Sequence, residues 1–395
     1  MRIELTHEQE RNQLDFRLFA TEHVAPHAAS HDRTQKVSNE LLSKVVAAGY
    51  LGSFLPKEYG GRGLDMISYG LLHEELGKAC SSLRCLLTVH DMVALAIHKW
   101  GSDMLRERWL PRLARGEVIG AFAVSEPGAG SDANSVDTNA SLSNRTYLLN
   151  GTKKWITFGQ IADVYLVVAK SGGRATALLV ERGTPGLEFK PLDGMLGMRG
   201  TMLAQLNFKD CAVPQENIVG REGFGLSSVA FTALGLGRYT IAWGSLAIAQ
   251  ASLNACLQYA ATRKQFSVPL RDHQLIQKMI SEMITNTTAA RLLCYQAGYL
   301  KDLNDPRELA ETFAAKYFAS TIAMKAALDA VQIHGANGCS GDYPVERYLR
   351  DAKIMEIIEG SSQIQEIMIS KLGFQEYERQ VLEEENLEHL KAVPA

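Results

Sequence analysis

Residues 235–266, "GLGRYTIAWGSLAIAQASLNACLQYAATRKQF", read as one helix of about 30 residues, long for a globular protein. "HQLIQKMISEMITNTTAARLLCYQAGYL" (273–300) and "ELAETFAAKYFASTIAMKAALDAVQIHG" (308–335) follow with similar length. Three such helices plus a fourth predict a helix bundle over 229–378. Residues 379–395 read as a charged, solvated tail.

Upstream of the bundle the pattern changes. Residues 1–118 carry helical periodicity, punctuated by Pro26, Gly49 and the loop "PKEYGGRGLD" (56–65). "SSLRCLLTVHDMVALAIHKWG" (81–101) is a long apolar helix stopped by Gly101. Residues 119–228 read as a β-barrel-like domain. In "TYLLNGTKKWITFG" (146–159), Asn150-Gly151 between alternating runs signals a hairpin. "DVYLVVAK" (163–170) and "ATALLVER" (175–182) read as strands, and "GTPGLEFKPL", "GMRG" and "KDCAVPQENIVG" as turn-rich connectors. The expected fold class is α+β multidomain: a helical N-terminal domain, a middle β domain and a C-terminal four-helix bundle.

Of the 395 residues, 46% are hydrophobic and 22% charged, which is ordinary globular composition. A net charge of −3 provides no basic field for nucleic acid. The start, "MRIELTHEQE", lacks a secretory signal, and no apolar run is long enough for a membrane span, so a soluble cytoplasmic protein is expected. The six cysteines form no CxxC pair and read as free thiols, and no HExxH motif points to a catalytic metal.

Five stretches carry candidate chemistry. "AFAVSEPGAGSDANS" (121–135) ends a strand in a loop of backbone N–H groups and hydroxyls, fit for an anion or polar heterocycle, or simply a turn. Trp155 and Thr157 in "GTKKWITFG" alternate on a strand and share a face, to stack on a flat ring or to fill the sheet. Arg263 and Phe266 close a helix and Gln274 opens the next, with Arg263 either a phosphate ligand or a solvated helix end. Gly335 and Gly338 end a helix at "QIHGANG". In "KIMEIIEGSSQIQEIM" (353–368), Glu359 interrupts an apolar run just before Gly360, Ser361 and Ser362. Gly360 is expected to end one helix, and Ser362 with Gln365 to form a capping box for the next.

In order and spacing these motifs, with "YPVERYLRDAKI", resemble the flavin-dependent acyl-CoA dehydrogenase family over residues 5–375. The resemblance implies FAD, a homo-oligomer (dimer or tetramer), and Glu359 as the base that takes an α proton while flavin N5 takes the β hydride. Phe122, Val124, Ser125 and Ser131 would line the flavin and its pyrophosphate, and Trp155 and Thr157 would pack on and bond the isoalloxazine. Arg263, Phe266, Gln274, Gln332, Gly335 and Ala336 would reach a neighbouring subunit's FAD. Ser361 and Gln363 would hold the adenosine end, and Arg238 and Ser131 would lie by the substrate. Some members carry the base just before the arginine of the long helix, but that position is Gly237 here.

One departure concerns the carrier. Many CoA-using members have an acidic residue three before that arginine, where this chain has Gly235. "CSSLRCLLT", "GRYTIAWG" and "VERYLRDAKIMEIIEGSS" are most similar to the acyl-carrier-protein-linked dehydrogenases of polyketide extender-unit biosynthesis (hydroxymalonyl, methoxymalonyl or aminomalonyl). The expected substrate is therefore a short polar acyl group on an acyl carrier protein. The alternative is a short-chain acyl-CoA dehydrogenase passing electrons to an electron-transfer flavoprotein. Trp243 is expected to shorten the acyl pocket, and Arg84 or His90 to recognise a substrate hydroxyl or carboxylate. A flavin oxidase or monooxygenase on the same fold, disfavoured by the presence of Glu359, and a non-catalytic binding module are the other classes weighed.

Overall fold

The computed structural model describes residues 4–392, with side chains described through residue 383. Six helices come first: α1 His7–Phe19, α2 Ala28–Thr34, α3 Asn39–Ala47, α4 Met66–Ala79, α5 Ser81–Trp100 and α6 Asp103–Ala114. Their starts are written in the sequence. Thr6 and Gln9 form a capping box on α1, and Ser38, Asp65 and Ser102 cap α3, α4 and α6. From residue 67 to 77 every α4 side chain is buried, and α5 is buried along most of its length, as expected of helices covered on all sides.

Eight strands follow: β1 Gly120–Ala123, β2 Asn139–Ser143, β3 Thr146–Ile156, β4 Val164–Ser171, β5 Arg174–Glu181, β6 Leu187–Pro191, β7 Ala204–Pro214 and β8 Ile218–Val219. The order is β6-β7-β3-β2-β4-β5-β8, with β1 parallel to β4. Two expectations fail here. Asn150-Gly151 is not a turn but lies inside β3. The hairpin instead turns at Asn144-Arg145, where φ is 48° and 61°, as a two-residue β2–β3 loop requires. Gly151, at φ 146°, sits at a register shift against β7, where a Cβ would strike the Thr138 backbone. The supposed connectors 183–192 and 209–220 contain β6, part of β7 and β8: β6 pairs with the next strand, β7, while β7 and β8 pair back with β3 and β5.

The bundle contains α7 Phe231–Thr262, a small ribbon (β9 Lys264–Gln265, β10 Val268–Pro269), α8 Gln274–Asp302, α9 Glu308–His334, α10 Val345–Met355 and α11 Ser362–Ala392. The tail expected at 379–395 is, through Ala392, a continuation of α11. α7 is packed on both sides, against α8 and α9 of the bundle and against α4 and α5 of the N-terminal layer. It therefore joins the helical cores. Trp243 on α7 is fully buried between Gly70 on α4 and Tyr295 on α8.

A side chain at Gly70 would overlap the Trp243 indole. Gly70→Ala should lower stability by about 1–3 kcal/mol, the usual range for overpacking. A thermal melt of the single variant, compared with one that also carries Trp243→Phe, checks this: the second change should recover part of the loss.

Candidate active site

Glu359 lies between α10 and α11. Here the structure corrects the sequence reading. α10 stops at Met355, Glu359 and Gly360 both adopt left-handed φ (55° and 92°), and Ser361 rather than Ser362 caps α11 by accepting from Ile364 N at 3.5 Å. Gln365 closes no capping box. Its Nε2 donates to the carbonyls of Glu359 (3.2 Å) and Gly360 (2.8 Å). The loop points the Glu359 carboxylate at Gly237 on α7, where any Cβ would collide with Oε2. Oε2 is sealed from solvent and has no hydrogen-bond partner. Burial raises the carboxyl to about 7, against the pull of Arg238, Lys316 and Arg84.

α5 and α7 meet antiparallel in three rungs. Met92 lies by Gly237, Thr88 Oγ1 is 2.9 Å from Thr240 Oγ1, and Arg84 is seated on Gly244. The spacings 84, 88, 92 and 237, 240, 244 place each set on one helix face. A Cβ at Gly244 would lie 2.6 Å from Arg84 Nε, and one at Gly77 of α4 would lie 3.4 Å from its Cδ. Gly244 thus makes room for a fully buried arginine, while Gly77 makes room chiefly for Ala247 beside it. Its Nη1 donates to Thr88 Oγ1 (2.9 Å) and Thr240 O (3.3 Å), its Nη2 faces the sulfurs of Cys85 and Met355, and its Nε has no partner. None of these partners is anionic. Arg238 lies over the Phe313 ring at 4.6 Å, with Nε and Nη1 unpartnered.

His90 is not part of this group. Its Nε2 faces Leu113 O (3.1 Å) and its Nδ1 accepts from Gly120 N (3.3 Å), so it joins α5 and α6 to β1. Desolvation lowers it to about 4, and it is a neutral structural residue. Trp243 stands behind the ladder, packed on Gly70 and Tyr295.

The β domain gathers another set. Lys154 N donates to Ser125 O (2.9 Å), and the buried Lys153 Nζ donates to Val124 O (2.9 Å) and Glu126 (2.6 Å), which joins the 122–126 segment to the strand of Trp155. Trp155 and Thr157 do not share a regular strand face. Trp155 has φ 67° at a register shift, its side chain is 47% exposed, and β3 ends at Ile156. Beyond Thr157, Phe158 N bonds Thr201 O. The 198–202 segment in turn bonds Ser82 of α5 through Gly200 and Asp351 of α10 through Met198. This thread ties the Trp155 turn to the start of α5 and to the helix that leads into Glu359.

A third set clusters at one end of the bundle. Tyr259 stacks on His334 at 4.2 Å and accepts from Asn337, which draws together the ends of α7 and α9. Arg263, Phe266 (91% exposed), Gln274, Gln332, Gly335 and Ala336 all lie on the surface there. Gln363 is exposed on the first turn of α11.

Models of acyl-CoA dehydrogenase domains match the chain in order: N-terminal over residues 6–117, middle over 121–211 and C-terminal over 223–373. The chain belongs to the acyl-CoA dehydrogenase family. A short-chain specific acyl-CoA dehydrogenase of Clostridium acetobutylicum is 37% identical over 376 residues, covering 94% of this chain and 99% of that protein. A solved structure concerned with the electron transferring flavoprotein of Acidaminococcus fermentans and flavin-based electron bifurcation contains a chain 37% identical at TM-score 0.91, with 94% and 99% covered. FkbI, for biosynthesis of the methoxymalonyl extender unit of the FK520 polyketide, is 30% identical at TM-score 0.85, with 91% and 99% covered. It lies further off than the other two, so the comparisons favour the acyl-CoA alternative over the carrier-protein reading.

Like its relatives, this acyl-CoA dehydrogenase is an FAD-dependent oxidoreductase acting on the acyl CH–CH bond. Its surfaces fit the cofactor: Trp155 stands outward, Ser131 is exposed, and nothing occupies the space beside Gly128, Gly130 or Gly335. Sequence reasoning missed Lys316, the Lys153–Glu126 pair and the Thr88–Thr240 rung, since nothing in a Lys or Thr of a helix or strand announces that it is buried.

Gly237→Ala should displace the Glu359 carboxylate and lower kcat/KM roughly 10²-fold, the scale of a 1 Å misplacement. FAD content and the melting temperature, measured beside the kinetics, should stay close to those of the parent protein.

Proposed function

We propose that the protein dehydrogenates a short acyl-CoA thioester, with Glu359 removing the α proton. The observation that supports this best is the Glu359 carboxylate, with Oε2 sealed against Gly237 and the group raised by burial to about 7. The α carbon of a thioester is a weak acid, and a base poised near working pH serves it better than an ordinary carboxylate. Bound FAD supplies the acceptor for the β hydride. Phe122, Val124, Ser125, Ser131, Trp155 and Thr157 would hold it from within the chain, and Ser361 and Gln363 at its adenosine end. Arg263, Phe266, Gln274, Gln332, Gly335 and Ala336 would do so from a second copy in a dimer or tetramer. Ser131 and Arg238 lie with the thioester in this reading, and an electron-transfer flavoprotein takes the electrons.

The α5–α7 ladder supports a short chain. Gly237 and Gly244 are seven residues apart, roughly 10 Å along a helix. The Arg84 head reaches back to Thr240 O, which shortens that span. A buried cation without an anionic partner favours an acyl end bearing an oxygen. A second reading, a polar three-carbon acyl group on a carrier protein, is supported by the likeness to FkbI and by the open space beside Gly235.

Glu359→Gln should keep fold and FAD and lose most turnover, as measured with a dye acceptor. Near-normal rates would overturn the assignment. The substrate is tested separately by presenting butyryl and a hydroxylated or carboxylated four-carbon acyl group on CoA and on carrier protein. We expect preference for CoA. Arg84→Met should lower kcat/KM for the polar acyl group about tenfold or more, with butyryl turnover preserved. Preference for carrier protein would establish the second reading.

A further inference from the structure

Lys316 lies on α9, fully buried, with no part in the sequence motifs above. Its Nζ donates to the Gly360 carbonyl at 2.7 Å, the hydrogen-bond partner the structure gives it. That carbonyl belongs to the residue after Glu359, in a loop where both residues take left-handed φ. Gln365 of α11 grips the same carbonyl from the other side. One turn before Lys316, Phe313 supports the Arg238 guanidinium. α9 therefore holds both the loop that carries the carboxylate and the arginine next to Gly237.

We propose that Lys316 is a positioning residue for the base: its ammonium fixes the Glu359–Gly360 loop through the Gly360 carbonyl and adds a buried positive charge to that of Arg238 beside the carboxylate. The inference rests on Glu359 being the base. The charged groups that face Glu359 are Arg238 from α7, Arg84 from α5 and Lys316 from α9, with Glu356 close enough to act on Lys316 and Cys85 close enough to feel Glu359. None of the three cations forms a salt bridge with Glu359, so each acts through space. Lys316 alone also holds the loop backbone. Burial lowers its amine to about 8, above the carboxyl at about 7, so the ammonium still holds most of its charge at the midpoint of the Glu359 titration.

The sign follows from the charges. A nearby cation favours the carboxylate, so its removal raises the Glu359 pKa further, and the acid limb of kcat/KM moves to higher pH. The test is the pH profile of the FAD-loaded enzyme in three variants. Lys316→Gln keeps a donor for Gly360 O and loses the charge, so its acid limb should rise by about one pH unit, with turnover recovering at the alkaline end. Lys316→Met loses both, and should show the same shift with a lower plateau. Lys316→Arg keeps the charge, and its limb should stay with that of the parent protein. The flavin spectrum and the melting curve of each variant confirm folding. Should Lys316→Met fail to fold, Lys316→Gln still decides the charge. A uniform loss of rate with an unmoved acid limb, or unchanged kinetics in Lys316→Gln, would overturn the proposal. Activity surviving in Glu359→Gln would instead overturn the base assignment, so the two failures are told apart.

Discussion

A carboxylate with one oxygen sealed from solvent and no close counter-ion is the constraint on which the site depends. Desolvation opposes the charged form of Glu359, and three cations on three helices offset it from a distance. Distance matters to the chemistry. A direct salt bridge would lower the carboxyl by about 1–3 units and leave a poor base. An isolated carboxylate would stay protonated. Placing Arg84, Lys316 and Arg238 around Glu359 without contact keeps it between these limits. It also makes the proton affinity of the site depend on how the N-terminal layer docks on the bundle, since Arg84 comes from one and Lys316 from the other.

The space for these charges comes from missing side chains. Gly237 admits the carboxylate, and Gly244 admits the arginine. A glycine within a helix costs up to about 1 kcal/mol in propensity relative to alanine. α7 tolerates this because it is held by tertiary packing on both sides rather than by its own propensity. The family position that carries a base in some members is therefore not vacant here. A residue there and Glu359 would compete for one volume.

Much of the architecture was legible in the sequence, because long amphipathic or apolar periods survive any tertiary context. The errors cluster where pairing is non-local. Asn150-Gly151 has the right dipeptide for a hairpin, yet its strand runs on to pair with β7, and the turn falls to Asn144-Arg145. The β7 and β8 segments look like connectors because their partners β3 and β5 lie far back along the chain, and β6 is a strand only through its pairing with β7. Around Glu359 the anomaly itself was readable, a carboxylate and a glycine amid isoleucines, but not the cap. Ser361 and Ser362 are equivalent in sequence, and only the left-handed pair before them selects Ser361. Lys316 was invisible, since "AAKYF" reads as any helix with a solvated lysine.

The polar residues of α5 show why burial alone does not assign a role. Arg84, Thr88, His90 and Asp91 are all buried, and composition treats them alike. Their helical phase separates them. Arg84, Thr88 and Met92 fall four apart and meet α7. His90 and Asp91 turn the other way, where backbone groups of Leu113, Gly120 and Gly52 and the Tyr69 hydroxyl satisfy them. A buried group whose hydrogen bonds are complete is already used by the fold. Arg84 differs in kind: its hydrogen-bond partners are neutral, one of its nitrogens has no partner, and a glycine, Gly244, was needed to house it. In the proposed reading, room and bonding capacity left together at the end of a ladder that begins at Glu359 would set the reach and polarity of an acyl chain.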